Sequence, residues 1–428
     1  MSAEDAAVIV VGGGPSGLAA ATALAAGGAG RVIVLEREPV AGGVPRHCGH
    51  YPFGARELRR VLRGPDYAAR LVGRAVAAGV EIRAGHSVMA LAPGPRLTVA
   101  TPDDGPVVLA AKRVVLCTGV REASRVARRV GGTKPGGVIP TAALQGLVHL
   151  EGLRPFERPV VFGSELVSFS ALLTCRKAGI RPVAMIEPGP RPLARWPSAW
   201  LPRLLGIPLL TDTELLSIEG RDRVEAVTVR TGDAEPRRIE TDGVIVSGRF
   251  RPEATLVRDG HLALDAATGG PEVDQYGRCS DPAYFAAGNL LRPAESAGWS
   301  WKEGRASAAA VLCDLDGRLP GHADALRVSV GGEPLKLVLP QRVATGAAAA
   351  RGRAAGGPAR DACAPPALPA FQIRVTRSVR GRLVARLNGE TVAARSIATH
   401  PERRILAPLS LVPPGAHGRL ELAVEEGA

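Results

Sequence analysis

Three glycines and one acid near the start of the chain stand at a spacing that can hold a diphosphate. In "VIVVGGGPSGLAAATALAAGGAGRVIVLERE" (8–38), Gly12, Gly14 and Gly17 fall in G-x-G-x-x-G register, and Glu36 closes the segment. Gly12 allows a tight turn, Gly14 lets backbone approach a pyrophosphate, and Gly17 permits close helix–strand packing. Pro15 and Ser16 open the helix that follows, whose free N–H groups and positive dipole end favour phosphate. Glu36 can accept hydrogen bonds from both ribose hydroxyls and would repel a 2′-phosphate. A second loaded cluster is His47, Cys48 and His50. A thiol beside imidazoles can have a lowered pKa and react, which makes Cys48 and His50 the catalytic candidates. A loop that merely packs against a cofactor accounts for the same residues, and is the reading preferred here.

The elements that must position these groups are legible around them. "AVIVV" reads as a buried parallel strand, "LAAATALAAGG" as a small-residue helix, and "RVIVLE" as a second strand. A secretory signal is a poor fit, because the leader "MSAEDAA" carries Glu4 and Asp5 and no Lys or Arg. A membrane span is equally poor, because Gly12, Gly13, Gly14, Pro15 and Gly17 interrupt the apolar run. The unit then returns in "PVVFGSELVSFSALLTCRKAGIRPVAMIE" (159–187), where Gly163 and Glu187 are spaced as Gly12 and Glu36 are. Here Glu165 takes the place of Gly14, and Ser168 that of Gly17. A carboxylate about 4 Å from a phosphate costs on the order of 4 kcal/mol at an effective dielectric near 20. The second unit is therefore expected to keep its fold and to bind NAD(P) weakly or not at all.

Composition narrows the class. With 428 residues the chain has room for two or three domains. The net charge is +13, but the arginines are scattered, rarely interleaved with aromatics, and joined by no helix-turn-helix or zinc pattern. Nucleic-acid binding is not expected; an acidic protein partner suits such a surface. The six cysteines, at 48, 117, 175, 279, 313 and 363, form no C-x-x-C and no iron–sulphur segment. No metal site is expected. Nothing suggests export, so reduced thiols in the cytoplasm are the expectation.

Two further strands carry a family resemblance. "AYFAAG" ends at Gly288–Asn289, and "RVVLCTGVRE" (113–122) ends in Thr118–Gly119. Both resemble flavin motifs of the two-dinucleotide-binding-domain flavoproteins, the pyridine nucleotide-disulfide oxidoreductase-like group, with Asn289 where those motifs carry an Asp. The segment "GGVPRHCGHYPFGARELRRVLRGPDYA" (42–68) and "LKLVLPQRV" (335–343) resemble one branch of it. That branch holds the flavoprotein companion of glycerol-3-phosphate dehydrogenase and the flavin subunits of opine oxidase, hydroxyproline dehydrogenase and hydrogen cyanide synthase. The thiol–disulfide branch places a Cys pair just after the Gly-Gly. Here Val44 and Pro45 follow Gly43 and Cys48 stands alone, so a disulfide relay is not expected.

The resemblance implies an α/β chain with two Rossmann-like domains. The FAD domain (1–120 and 240–320) is discontinuous and the second domain (121–239) is inserted; a flexible linker (344–370) and a small C-terminal β domain (371–428) follow. It implies FAD held by Gly12, Gly14, Pro15, Ser16, Gly17, Glu36, Arg37, Gly43, Thr118, Gly119, Gly288 and Asn289. The expected activity is an FAD-dependent oxidoreductase, a subunit of a dehydrogenase or oxidase for an amine, amino acid or polyol phosphate, or a relay for its electrons. Its partners would be a small-molecule substrate and a second flavoprotein or electron-transfer subunit. The alternatives are a stand-alone NAD(P)H-dependent flavin reductase and a non-catalytic FAD-binding scaffold.

Overall fold

Strand β1 (Ala3–Val11) lies between β2 (Val32–Glu36) and β6 (Pro106–Leu116) and runs parallel to both. All five residues of β2 are buried, as a strand covered on both faces requires. Helix α1 (Pro15–Ala26) and helix α2 (Gly64–Ala77) pack on this sheet. Strand β3 (Glu81–Ala84) extends it beyond β2, and the hairpin β4 (Ser87–Ala92) and β5 (Arg96–Ala100) joins the far edge of β6. The strand Tyr284–Ala286 returns from much later in the chain to pair with β6, completing seven strands. The helix Ala297–Leu315 then lies along α1. The computed structural model describes residues 3–426 except 195–196, 294, 322–324, 346–364, 402 and 414, so most of the expected linker, with Cys363, lies outside the described residues.

Small residues set the distance between these two helices. A Cβ on Gly304 would stand 2.0 Å from Ser16 O, and one on Gly27 would stand 2.4 Å from Leu312 Cδ1. Backbone meets backbone where the Ala297–Leu315 helix crosses the first turn of α1.

The second domain repeats the plan. Strands Val138–Pro140, Val160–Phe162, Ala184–Ile186, Leu209–Leu210 and Val244–Val246 form a parallel sheet, carrying helices α3 (Thr141–His149) and α4 (Leu166–Lys177). The return to the first domain lies at Arg251–Pro252, which pairs antiparallel with Val120–Arg121, and not at 240. "VIV" at 244–246 is a buried apolar run of the kind both sheets use, so its pattern could not say which sheet it joins.

The β region also differs from its expected bounds. Strands Leu326–Val330 and Leu335–Leu339, which precede residues 344–370, pair with Arg419–Glu426 and Ala370–Val375 respectively. Two sheets thus close over one core, with Phe371, Ile373, Leu383, Leu420 and Leu422 buried in it. Among the described residues, no helix is long and apolar enough to cross a membrane.

Gly304→Ala should destabilise the chain by about 1–3 kcal/mol, the usual cost of overpacking. Gly146→Ala, inside α3 with open space around its Cβ position, should stabilise by about 0.5–1 kcal/mol. Thermal unfolding of both variants checks the pair; equal melting points would refute the packing argument.

Candidate functional site at the first glycine turn

Gly12 has φ +107°, and a Cβ there would lie 2.5 Å from Cys117 O and 3.4 Å from Thr118 Cα. A side chain would thus collide with the end of β6 as well as strain the turn. Gly12 N–H donates to Leu35 O at 2.8 Å, fastening the turn to β2. A Cβ on Gly17 would sit 1.9 Å from Gly12 O, so α1 can leave the turn only from a glycine. Gly14 is the N-cap of α1, with no side-chain cap, and Pro15 is its first residue. The N–H groups of that first turn have no partner within the helix.

Glu36 is buried and held from both sides. Its Oε2 accepts from Gly13 N–H and its Oε1 from Glu38 N–H, each at 2.9 Å. Each oxygen keeps one lone pair for a ligand. The neighbouring Arg37 is exposed, 3.8 Å from the Glu38 carboxylate. Gly43 meets the glycine turn: its Cβ would come within 2.8 Å of Gly14 Cα, and Gly42 N–H donates to Gly13 O at 2.8 Å. A Cβ on Gly14 itself would meet only Gly43 Cα, at 3.9 Å.

Gly288 comes in from the other side, with its Cβ position 2.8 Å from Ser16 Cβ and 3.6 Å from Ser300 Cβ. Ser300 Oγ is buried and has no hydrogen-bond partner among the described residues. The Asn289 side chain is used in its own loop, donating to Glu295 O at 3.1 Å and accepting from Glu295 N–H at 2.9 Å. Thr118 Oγ1 donates to Glu253 O at 2.7 Å, and Gly119 O accepts from Glu253 N–H at 2.9 Å, at the crossing between domains. The structure thus gathers Gly12, Gly14, Pro15, Ser16, Gly17, Glu36, Gly43, Gly288 and the start of the Thr118–Gly119 turn around one helix end. Arg37 and Asn289 face other partners.

The two catalytic candidates are not brought together. Cys48 Sγ lies 3.6 Å from Gln145 Oε1 of α3, and burial, with Glu122 adding to it, pushes its thiol up to about 12. His50 Nδ1 lies 3.0 Å from Tyr51 O, and its ring packs on Phe53. Burial lowers the pKa of His47 below its ordinary value, although a hydrogen bond donated to Gln145 acts to raise it. A neutral buried thiol beside a neutral imidazole is a packing contact between loop and second domain, not an activated nucleophile. The partner that shows this, Gln145, is 97 residues away in sequence from Cys48 and carried no signal of its own.

Trp299 and Lys302 are expected near the flavin; sequence reading missed Arg56 and Arg404, which join them at the mouth of the Ala297–Leu315 helix. The guanidinium carbons of Arg56 and Arg404 lie 4.3 and 4.1 Å from the Trp299 ring centre, and Lys302 Nζ lies 5.2 Å from it. Arg404 comes from the β region and also donates to Glu295 Oε2 at 2.8 Å. Behind it the buried Arg292 donates to Gly288 O at 3.1 Å and to Glu303 Oε2 at 3.0 Å, and Gln372 Nε2 reaches Glu303 Oε1 at 3.3 Å.

The second turn is built alike and filled differently. Gly163 has φ +124°, with a Cβ position 2.5 Å from Ser247 O, and Glu165 caps α4 as Gly14 caps α1. Glu165 Oε1 accepts from Arg249 N–H at 2.7 Å, over Gly248. Arg128 lies against the turn, its Nη1 donating to Phe162 O at 2.9 Å and Ser247 O at 2.6 Å. Burial lowers its pKa to about 10, which leaves it charged at neutral pH. Ser164, in the place of Gly13, donates to Glu187 and accepts from Leu193 N–H at 2.9 Å, drawing the following loop over the turn.

The sequence profile of the pyridine nucleotide-disulphide oxidoreductases matches residues 6–308. The chain belongs to that family. Its fold is similar to that of T. acidophilum thioredoxin reductase, with 21% identity, a TM-score of 0.61, and 73% of this chain and 99% of that one covered. L-proline dehydrogenase from P. horikoshii aligns at 20% identity with a TM-score of 0.57, over 74% of this chain and 57% of that one. A NAD-dependent persulfide reductase from A. fulgidus aligns at 20% identity with a TM-score of 0.56, over 71% of this chain and 59% of that one. No curated protein matches the chain.

The Cys48 shift can be read directly. At pH 8 the native thiol, raised from 9.0 to about 12, should alkylate about a thousandfold more slowly than in the unfolded chain. Peptide mass spectrometry after iodoacetamide, with and without denaturant, measures it. Rapid native labelling at Cys48 would restore it as a reactive group.

Proposed function

We propose that this family member is an FAD-dependent oxidoreductase, one subunit of a dehydrogenase or oxidase acting on an amine, an amino acid or a polyol phosphate, or relaying its electrons. The observation that carries the cofactor is the uncrowded N-terminus of α1, where Gly14 faces only Gly43 at 3.9 Å. The residues fit the group. Free N–H groups of α1 would take the diphosphate, Glu36 would take the ribose hydroxyls, and the unpartnered Ser300 Oγ would find an acceptor or donor. FAD, when bound, supplies a two-electron acceptor. The chain's own part is to bind it, orient it and exclude water. The subunit reading rests on the branch resemblance of residues 42–68 and 335–343, and on a sequence without an iron–sulphur segment.

The purified protein is expected to be yellow. Gly14 has an ordinary φ of −82°, so Gly14→Leu should fold normally while its side chain fills the diphosphate approach. The expected result is native circular dichroism with no bound flavin. A wild-type protein that is folded, colourless and indifferent to added FAD would refute the cofactor. Anaerobic bleaching by amino acids, amines or glycerol phosphate, with co-purified partners present, tests the substrate class. A flavin that no donor reduces would favour the scaffold.

The second turn bears on nicotinamide. Arg128 partly offsets the charge of Glu165, so occupancy of the turn by Arg128 and the loop over Ser164 opposes binding more than repulsion does. NADH at micromolar concentration should not bleach the flavin within seconds. Arg128→Ala with Glu165→Gly should strengthen NADH binding about tenfold or more, the equivalent of about 1.4 kcal/mol, and Glu165→Gly alone by less. Fast bleaching of the wild type in rapid mixing would favour the reductase instead.

A further inference from the structure

We infer that the face formed by residues 54–63 and α2 docks the acidic surface of a protein partner. The inference rests on the proposal that the chain works with a second protein, and not on the flavin. Arg56, Arg59, Arg60, Arg63, Arg70 and Arg74 are all exposed here. Some arginines elsewhere pair with acids, as Arg31 does with Glu81 and Arg113 with Asp314. Others, such as Arg380, Arg382 and Arg395, make no ion pair among the described residues but do not line the cleft beside α2. Arg59, Arg60, Arg70 and Arg74 have no such partner among the described residues. The two nearby acids do not neutralise them. Glu57 turns inward, with Oε2 2.8 Å from the Cβ position of Gly298. Asp66, one helical turn before Arg70, makes no ion pair with it among the described residues. Arg70 and Arg74 repel each other at i,i+4 spacing, and Asp66, at the same spacing before Arg70, leaves Arg74 without an opposite charge four residues away on α2.

The cations surround a shape. A cleft of about 350 Å³ is lined by Arg60 and Leu58 on the loop and by Arg70, Gly73, Arg74 and Ala77 on α2. The four helical residues fall at i, i+3, i+4 and i+7, which places them on one face. Gly73 has nothing within 4 Å of its Cβ position, so the floor is open to an incoming side chain.

The loop is held rather than loose. Phe53 N–H donates to Leu62 O at 3.0 Å, Leu62 N–H to Phe53 O at 2.9 Å, and Leu58 N–H to Gly54 O at 2.9 Å. Its far end reaches the candidate site, where Arg56 lies over Trp299. A partner docked here would therefore sit beside the opening of the Ala297–Leu315 helix.

Charge complementarity selects an acidic occupant. The extent selects a protein, because six arginines along a loop and a helix exceed the reach of one phosphate. Val61, 62% exposed among them, suits a protein contact in which arginine and apolar area alternate. Tyr51, 54% exposed beneath Arg63, is a single exposed ring beside these cations and not the succession of rings on which single-stranded nucleic acid stacks.

The experiment uses the full-length protein and a fluorescein-labelled peptide of twelve glutamates, read by anisotropy. Binding should fall as salt rises. Arg60→Glu/Arg70→Glu/Arg74→Glu should weaken it about thirtyfold, roughly threefold for each reversed contact. Arg380→Glu/Arg382→Glu/Arg395→Glu, on exposed positions of the β region, makes the same change in net charge and should weaken binding much less. Circular dichroism and flavin content of both variants report folding, and a misfolded triple is replaced by Arg70→Glu/Arg74→Glu, expected to cost about tenfold. Equal loss in the two triples, or no peptide binding, would overturn the inference. So would saturable competition by millimolar inorganic phosphate at the same arginines, or tighter binding of duplex DNA there. A colourless protein that still binds the peptide at this face would remove the flavin and leave the docking face standing.

Discussion

The first turn of α1 must be approached by backbone from three directions, and the site depends on that constraint. Gly17 lets the turn close on Gly12 O, Gly288 passes against Ser16 Cβ, and Gly304 brings the Ala297–Leu315 helix onto Ser16 O. A side chain at any of these positions would stand within 3 Å of a neighbouring atom. Close packing of this kind leaves little room to relax. The helix end that results is rigid and bare, which is what a diphosphate needs from a row of N–H donors. β1, β2 and β6 decide where the turn begins, and Glu36 ties its middle to the edge of β2.

The same scaffold carries two different floors. Glu36 and Glu187 each hold a glycine or serine turn and a following N–H, so the acid keeps its geometry in both units. The difference lies in what fills the helix end. Gly13 offers only its N–H, whereas Ser164 adds a hydroxyl that recruits Leu193 N–H, and Arg128 bonds two carbonyls beside Gly163. The repeated fold therefore presents two different surfaces at its two helix ends.

The β region is fastened to the first domain through charge. Arg292 is 1% exposed and shares Glu303 with Gln372, while Arg374 and Arg404 both reach Glu295. Removing one member of such a network strands an uncompensated buried charge, so the network favours one docked position. That position brings Arg404 to Trp299 and braces Gly288 O through Arg292, which makes the β region part of the site's walls.

The first βαβ unit was legible in the sequence because its determinants are local. Gly12, Gly14, Gly17 and Glu36 act through turn geometry and helix ends, and both follow from residue type and spacing. The second unit was legible for the same reason, down to Glu165 in the place of Gly14; that Glu165 is the N-cap of α4 came from the structure. Cys48 and His50 looked like chemistry because neighbours in sequence resemble neighbours in space. For Cys48, burial against α3 points the other way, and that burial depends on a residue 97 positions away. The strand at 244–246, the strand Leu326–Val330, Arg128 in the second turn and Arg404 at Trp299 were all hidden alike. Each is an ordinary residue or an ordinary apolar run whose meaning lies in a long-range partner, and pairing across the fold leaves no spacing to read.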